Sequence, residues 1–272
     1  MKKYIFIFIS LISGFLIQAQ KSANILNLSI GSGKHNLSYM LKDGVQTPET
    51  GLMANLAFTH FFTSKLGLLS GVGIQTYSSV STLNLNESTP AIDSDMDNYV
   101  HNAKFNNWQE KQQIMFVEIP LAGQFKQRIN DKINMQLTIG AKMSIPVSAS
   151  YKTTGGEIVT SGYYSQYNIE LTNLPNHGFS TITQSFSGKN KLNLLYSAIA
   201  KIGVGYKLTE KIDLHAGGYF NYGLNNILKP DTKMLYQLDG TYNSVFQSYQ
   251  TTSIKPFSLG VELGLNIKIG KE

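Results

Sequence analysis

The chain has 272 residues, no cysteine, 24 glycines, and only 15% charged residues. Without Cys there is neither a disulfide framework nor a thiolate metal site. The formal charge of +6 drops to +4 once Lys2 and Lys3 leave with the first twenty residues, 21 cations then facing 17 anions. That excess is dispersed, forms no dense basic run, and argues against a nucleic-acid partner.

Residues 1–20, MKKYIFIFISLISGFLIQAQ, join two lysines to an apolar run and then small or polar residues around Ala19. This reads as a secretory signal peptide cut near Ala19–Gln20, leaving 21–272 as one barrel domain. No later stretch has the roughly twenty apolar residues a spanning helix needs, so a membrane location requires a closed barrel.

Eight strand segments follow, at about 25–40, 51–62, 66–78, 113–127, 133–150, 191–208, 211–224 and 254–269. The fifth is the plainest. Ile133, Met135, Leu137, Ile139, Ala141, Met143, Ile145 and Val147 alternate with Asn134, Gln136, Thr138, Gly140, Lys142, Ser144 and Pro146. Strand side chains alternate between two faces, so one face is apolar and the other small and polar. The eighth repeats this, Phe257, Leu259, Val261, Leu263, Leu265, Ile267 and Ile269 alternating with Ser258, Gly260, Glu262, Gly264, Asn266 and Lys268. Both exceed the roughly 9–11 residues that cross a bilayer at a tilt.

Connections alternate between brief turns at 63–65, 128–131 and 208–211 and long polar stretches at 81–111, 151–190 and 225–252. The expected fold is an all-β, eight-stranded antiparallel up-and-down transmembrane β-barrel with short periplasmic turns and long extracellular loops. The expected location is the outer membrane of a Gram-negative bacterium. In the last long loop, Met234–Leu238 and Thr241–Phe246 flank Asp239-Gly240, a favoured hairpin turn, and predict that strands seven and eight extend as a β-ribbon. Aromatic residues near the strand ends, Phe58, Phe62, Phe125 and Tyr206 at one level and Tyr77, Tyr151, Phe220, Tyr222 and Phe257 at the other, read as interfacial girdles.

Two stretches resemble a known family. MFVEIPLAGQFK (Met115–Lys126), followed by a short turn and an alternating strand, resembles the EIP-L strand of PorT-like small outer-membrane β-barrel proteins of Bacteroidetes. GVGYKLTEKIDLHAGGYFNYGLNNI (Gly203–Ile227) is similar to the GxGY–turn–YGL hairpin of the same group. The resemblance implies a role in envelope processes that include protein export. The chain departs from many outer-membrane barrels in ending Ile267-Lys268-Ile269-Gly270-Lys271-Glu272 where they carry a terminal aromatic residue.

Parity points Glu118, Lys142, Lys201, Asp213, His215, Lys255 and Glu262 into the lumen. Small barrels are filled by their own side chains, and buried charges there must pair. A three-residue turn centred on Asn130 pairs positions summing to 260, which sets Glu118 opposite Lys142. Asp93-Ser94-Asp95-Met96-Asp97-Asn98 imitates a calcium loop but has Asn98 where Gly belongs and Lys104 where Glu belongs, so it reads as a solvated turn. The histidines, His35, His60, His101, His177 and His215, lack ligand spacing, and no Gly-x-Ser-x-Gly elbow occurs. No metal and no cofactor are expected.

Tyr99, Phe105, Trp108, Tyr163, Tyr164, Tyr167 and Tyr249 make the long loops aromatic among Asn, Ser and Gln, a composition suited to recognition. Lys65, Lys126, Arg128, Lys132, Lys207 and Lys211 crowd the short-turn end, where solvated turns near headgroups explain them. The leading expectation is a non-catalytic outer-membrane barrel acting through its loops or rim as an envelope or export accessory. Its partners would be outer-membrane lipids and other envelope or secretion proteins. The competing readings are a rim hydrolase or acyltransferase recruiting His101 with Asp97, or His177, and a secreted lipocalin-like barrel with its polarity inverted.

Overall fold

The computed structural model describes residues 23–229 and 231–269; the signal-peptide reading of 1–20 and the last three residues lie outside it. The strands in chain order are β1 (Ala23–Asn36), β2 (Gly44–Phe61), β3 (Leu66–Ile92), β4 (Asn98–Arg128), β5 (Ile133–Tyr164), β6 (Ile169–Thr172), β7 (Thr181–Ile182), β8 (Ser187–Lys189), β9 (Leu195–Lys207), β10 (Ile212–Gly223) and β11 (Phe257–Ile269). Eight of them close an antiparallel ring, β1-β2-β3-β4-β5-β9-β10-β11, and the circuit ends where Asn24 to Asn36 of β1 pair with Ile269 to Phe257 of β11. The short strands β6, β7 and β8 all pair with β5 above the ring.

Polarity through the ring is the reverse of a water-soluble barrel. Leu28, Ile30, Leu56, Val72, Ile119, Ile139, Ile202 and Leu263 stand exposed on the outside, while Gln136, Thr138, Lys142, Glu262 and Asn266 are buried inside. Neighbouring strands approach closely where the inner face is small. A Cβ on Gly140 would lie 2.5 Å from that of Ala122, so the β4–β5 contact requires glycine there.

Three expectations are corrected. The stretches at 81–111 and much of 151–190 are not open loops. β3 runs to Ile92, β4 begins at Asn98 and β5 reaches Tyr164, so these three strands continue past the ring as one sheet. The ribbon expected from strands seven and eight is absent. Asp239-Gly240 does turn the chain, with Gly240 at φ +81 and Gln237 N–H donating to Thr241 O at 3.0 Å, but only Tyr236 and Tyr242 bridge. Leu235, Tyr242, Val245 and Phe246 are instead buried in the barrel mouth.

The third correction is register. Glu118 lies opposite Ser144, and Lys142 opposite Pro120. Ile129 and Asn130 both donate to Ile133 O, and the Asn130 side chain accepts from Lys132 and Ile133 N–H. The turn is therefore longer than expected, and Arg128 pairs with Asn134. A slip of two keeps every side chain on its own face, so both charged groups stay inside.

Candidate functional site: the plugged mouth and the arm above it

Inside the ring, charges and amides interlock. Lys142 Nζ lies 2.7 Å from Glu118, reached diagonally, and donates to Gln75 Oε1 at 2.6 Å. Gln75 donates on to Ser258 at 2.8 Å, and Ser258 also accepts from Asn221. Lys201 pairs with Glu262 at 2.7 Å, and His215 Nε2 sits 3.4 Å from the same carboxylate. Asp213 pairs with Lys126 at 2.9 Å nearer the short-turn end. His35 bridges Thr76 O and the Tyr219 hydroxyl, each at 2.7 Å. Since Thr76 O can only accept, His35 Nδ1 carries a proton. Between these groups remains a cavity of about 60 Å³, room for a few waters. Lys255, expected in the lumen, is exposed just before β11 begins at Phe257, and its position is in step with the outward residues Leu259 and Val261, not with the inward Ser258 and Glu262.

Higher up, the interior turns apolar. Tyr77, Leu83, Phe105, Trp108, Ile114, Phe116 and Ile158 from β3, β4 and β5 form a core with Leu235, Tyr242, Val245, Phe246 and Ile254 of the final long loop, 224–256. Two girdle assignments are thereby corrected. Tyr77 faces inward, in step with Gln75 and Ser79. Tyr151 faces inward because a bulge at Val147, which sets Met115 opposite Ser148 but Phe116 opposite Pro146, switches the inward face to Tyr151 and Thr153, until a second irregularity at 155–157 switches it back for Ile158 and Thr160. Phe58, Phe62, Tyr206, Phe220 and Tyr222 are exposed, and Phe125 and Phe257 are half-buried.

The final loop is latched by two carboxylates. Glu110, fully buried, accepts from the Tyr242 hydroxyl at 2.7 Å, the Ser244 hydroxyl at 2.8 Å and Val245 N–H at 3.1 Å, and also from Gln112 Nε2. Trp108 Nε1 donates to the Tyr242 hydroxyl at 3.1 Å, and Asn190 steadies Gln112 at 2.7 Å. Glu87 accepts from Leu235 and Tyr236 N–H, each at 3.0 Å. Burial among neutral donors pushes the Glu110 carboxyl up to about 7 and raises that of Glu87 too. Both carboxylates lie in 81–111, whose polar composition gives no sign of an inward apolar face, so the sequence alone does not mark them.

Beyond the plug, β3, β4 and β5 project with β6 and β7 alongside. From Gln112 to Asn98, β4 adds roughly 45 Å of strand at about 3.3 Å per residue. Of the aromatic residues expected to form a loop surface, Trp108 and Phe105 are core, each 1% exposed, and Tyr164 is buried. Tyr99 is half-buried, stacked on Tyr164 at 5.3 Å, and Tyr249 is half-buried under Lys42. Tyr163 and Tyr167 are exposed near the tip, beside exposed Ile92, Met96 and Ile169. The tip turn uses its own acids. Asp93 accepts from Asp95 and Asp97 N–H at 2.9 Å and from the Tyr164 hydroxyl at 3.0 Å, while Asp97 accepts from Tyr167. Among the described residues, no three His, Cys, Asp or Glu side chains gather as a metal site. His101 is buried against Phe179 and makes no hydrogen bond to Asp97; His177 is exposed in a short 3-10 turn.

No family model matches the sequence, and no curated protein matches it. Solved structures that it is similar to include Ail, the attachment invasion locus protein of Yersinia pestis, bound to the heparin analogue sucrose octasulfate (11% identity, 90% of this chain and 99% of that one, TM-score 0.34). They also include Neisserial surface protein A (10%, 92% and 100%, 0.36) and OprG from Pseudomonas aeruginosa (12%, 92% and 96%, 0.36).

Proposed function

We propose that the chain is a non-catalytic outer-membrane barrel of a Gram-negative envelope that works as an interaction protein through its extracellular arm. The continuation of three ring strands into an arm whose apolar base is continuous with the core of the plugged mouth carries this reading. A filled lumen and a plugged mouth support it, since neither favours conduction. The apolar belt supports the membrane: it encircles a ring with no free edge, the form a spanning sheet must take. The PorT-like resemblance of Met115–Lys126 and Gly203–Ile227 adds the finer proposal of an accessory to envelope assembly or export. The burial of His101 away from Asp97 supports a role without catalysis.

Replacing 86–104 with a two-residue turn should abolish crosslinking of a specific envelope partner while the barrel keeps its heat-modifiable mobility. Tyr163→Ala/Tyr167→Ala should weaken the same crosslink. Partner capture that survives loss of the arm would overturn the proposal. The membrane assignment predicts that Ile139→Arg costs about 2–4 kcal/mol in vesicles, as an arginine at the bilayer midplane does. Thr154→Arg, on an exposed site of the arm, should cost close to nothing. Equal costs in urea titrations would count against the belt facing lipid.

A further inference from the structure

The short-turn end of the barrel is a cup of about 390 Å³ floored by Asp213, Lys126 and Asn134. The last inward positions of three ring strands, Arg128 of β4, Lys207 of β9 and Lys268 of β11, are all basic and all line it, with Lys132 from the adjoining turn. Its acids do not balance them. Asp213 is buried and held by Lys126. Asp131 and Glu210 sit 96% and 79% exposed on turns, paired with Arg128 and Lys207 three residues away. Pairs so exposed contribute little and exchange readily for a better-held anion. Among the described residues, Lys268 Nζ donates to a backbone carbonyl, Glu210 O at 2.9 Å, and to no carboxylate. We propose that this cup binds a phosphate-bearing anion, taken across its mouth by Arg128, Lys207 and Lys268. A guanidinium offers forked donors to phosphate oxygens, and the two ammonium groups add point charge. The solvated-turn explanation accounts for Lys65 and Lys211, which are exposed and do not line the cup, but not for cations at the last inward positions of three separate strands.

The test is calorimetric titration of the full chain, in zwitterionic detergent at low salt, with inorganic pyrophosphate. Saturable one-to-one binding is expected, weakened at least tenfold in Arg128→Gln/Lys268→Gln. Lys65→Gln/Lys211→Gln, which removes the same charge from the same end outside the cup, should change it less than twofold. Heat-modifiable mobility confirms that each variant is folded. Absence of saturable binding overturns the proposal, and so does equal weakening by the two double variants, which would reveal only a general field. Repeating the titration in nanodiscs identifies the source of the phosphate. Pyrophosphate binding lost when an anionic phospholipid is added makes the occupant a lipid headgroup, and binding retained makes it a soluble phosphate ester.

Discussion

Replacing Glu110 with alanine is expected to free the final long loop from the barrel mouth while the ring below stays closed. The carboxylate is the common acceptor for Tyr242, Ser244 and Val245, and its removal strands buried donors that water cannot reach. Each such loss costs about 1–3 kcal/mol, so together they amount to 3 kcal/mol or more. Hydrogen exchange at Val245 N–H should then speed up by roughly two orders of magnitude. Unchanged protection would show that apolar burial alone holds the plug. The same latch makes docking depend on pH. Docked, Glu110 has its pKa raised from 4.5 to about 7 because it is buried without a cation. The docked loop therefore keeps a proton that the released loop gives up between these values. Docking is strongest below pH 4.5, weakens as the pH rises to about 7, and is level above that. The full change is about 3 kcal/mol. Glu87 shifts in the same direction and adds to it. Exchange measured from pH 5 to 8, corrected for intrinsic rates, should follow this slope in the native chain and a shallower one in Glu110→Gln. A slope of opposite sign would refute the latch.

The ring is legible because one pattern governs it: apolar side chains outside, small polar groups inside, period two. That rule located every ring strand and the inward charges Glu118, Lys142, Lys201 and Glu262. It fails above the belt. There the buried interior of the arm is apolar and its outer face polar, so the hydrophobic face switches sides without any break in the strand. In β4 the switch is visible as Ile114-Met115-Phe116-Val117, where both faces are apolar at once. Before it, Phe105, Trp108 and Ile114 point inward, and after it Met115, Ile119 and Leu121 point outward. Outward hydrophobicity alone ends the strand at 113 and gives no strand over Asn98–Gln112, where the Glu110 latch sits. Tyr77 was readable from Gly71 and Gly73 on its own face. Tyr151 was not, since a bulge at Val147 leaves no clear mark in composition. The plug was illegible for a different reason: Asp239-Gly240 fixes a local turn, but which way the hairpin folds depends on Glu87 and Glu110, distant in sequence.

Lys142→Met should be the most damaging single change in the ring, more so than loss of any other luminal contact. Lys142 and Glu118 are 6% and 3% exposed, so the variant leaves a carboxylate buried with only a 3.3 Å bond from Ser144. It also strips Gln75 Oε1 of its donor. Breaking one side of a buried pair typically costs about 3–5 kcal/mol, whereas replacing both sides by apolar groups is often close to neutral. Glu118→Leu/Lys142→Met should accordingly recover most of what Lys142→Met loses, giving a large coupling in a double-mutant cycle. Urea titrations in vesicles, read by heat-modifiable mobility, measure all four proteins. A cost below about 1 kcal/mol for Lys142→Met would mean that water reaches Glu118 in place of the lysine. The 60 Å³ cavity beside it would then belong to a hydrated path through the barrel and not to a sealed interior. The pair therefore decides more than stability: a strong coupling requires a centre sealed from bulk water, and a sealed centre leaves the arm and the two mouths as the places where a partner from solution can reach this protein.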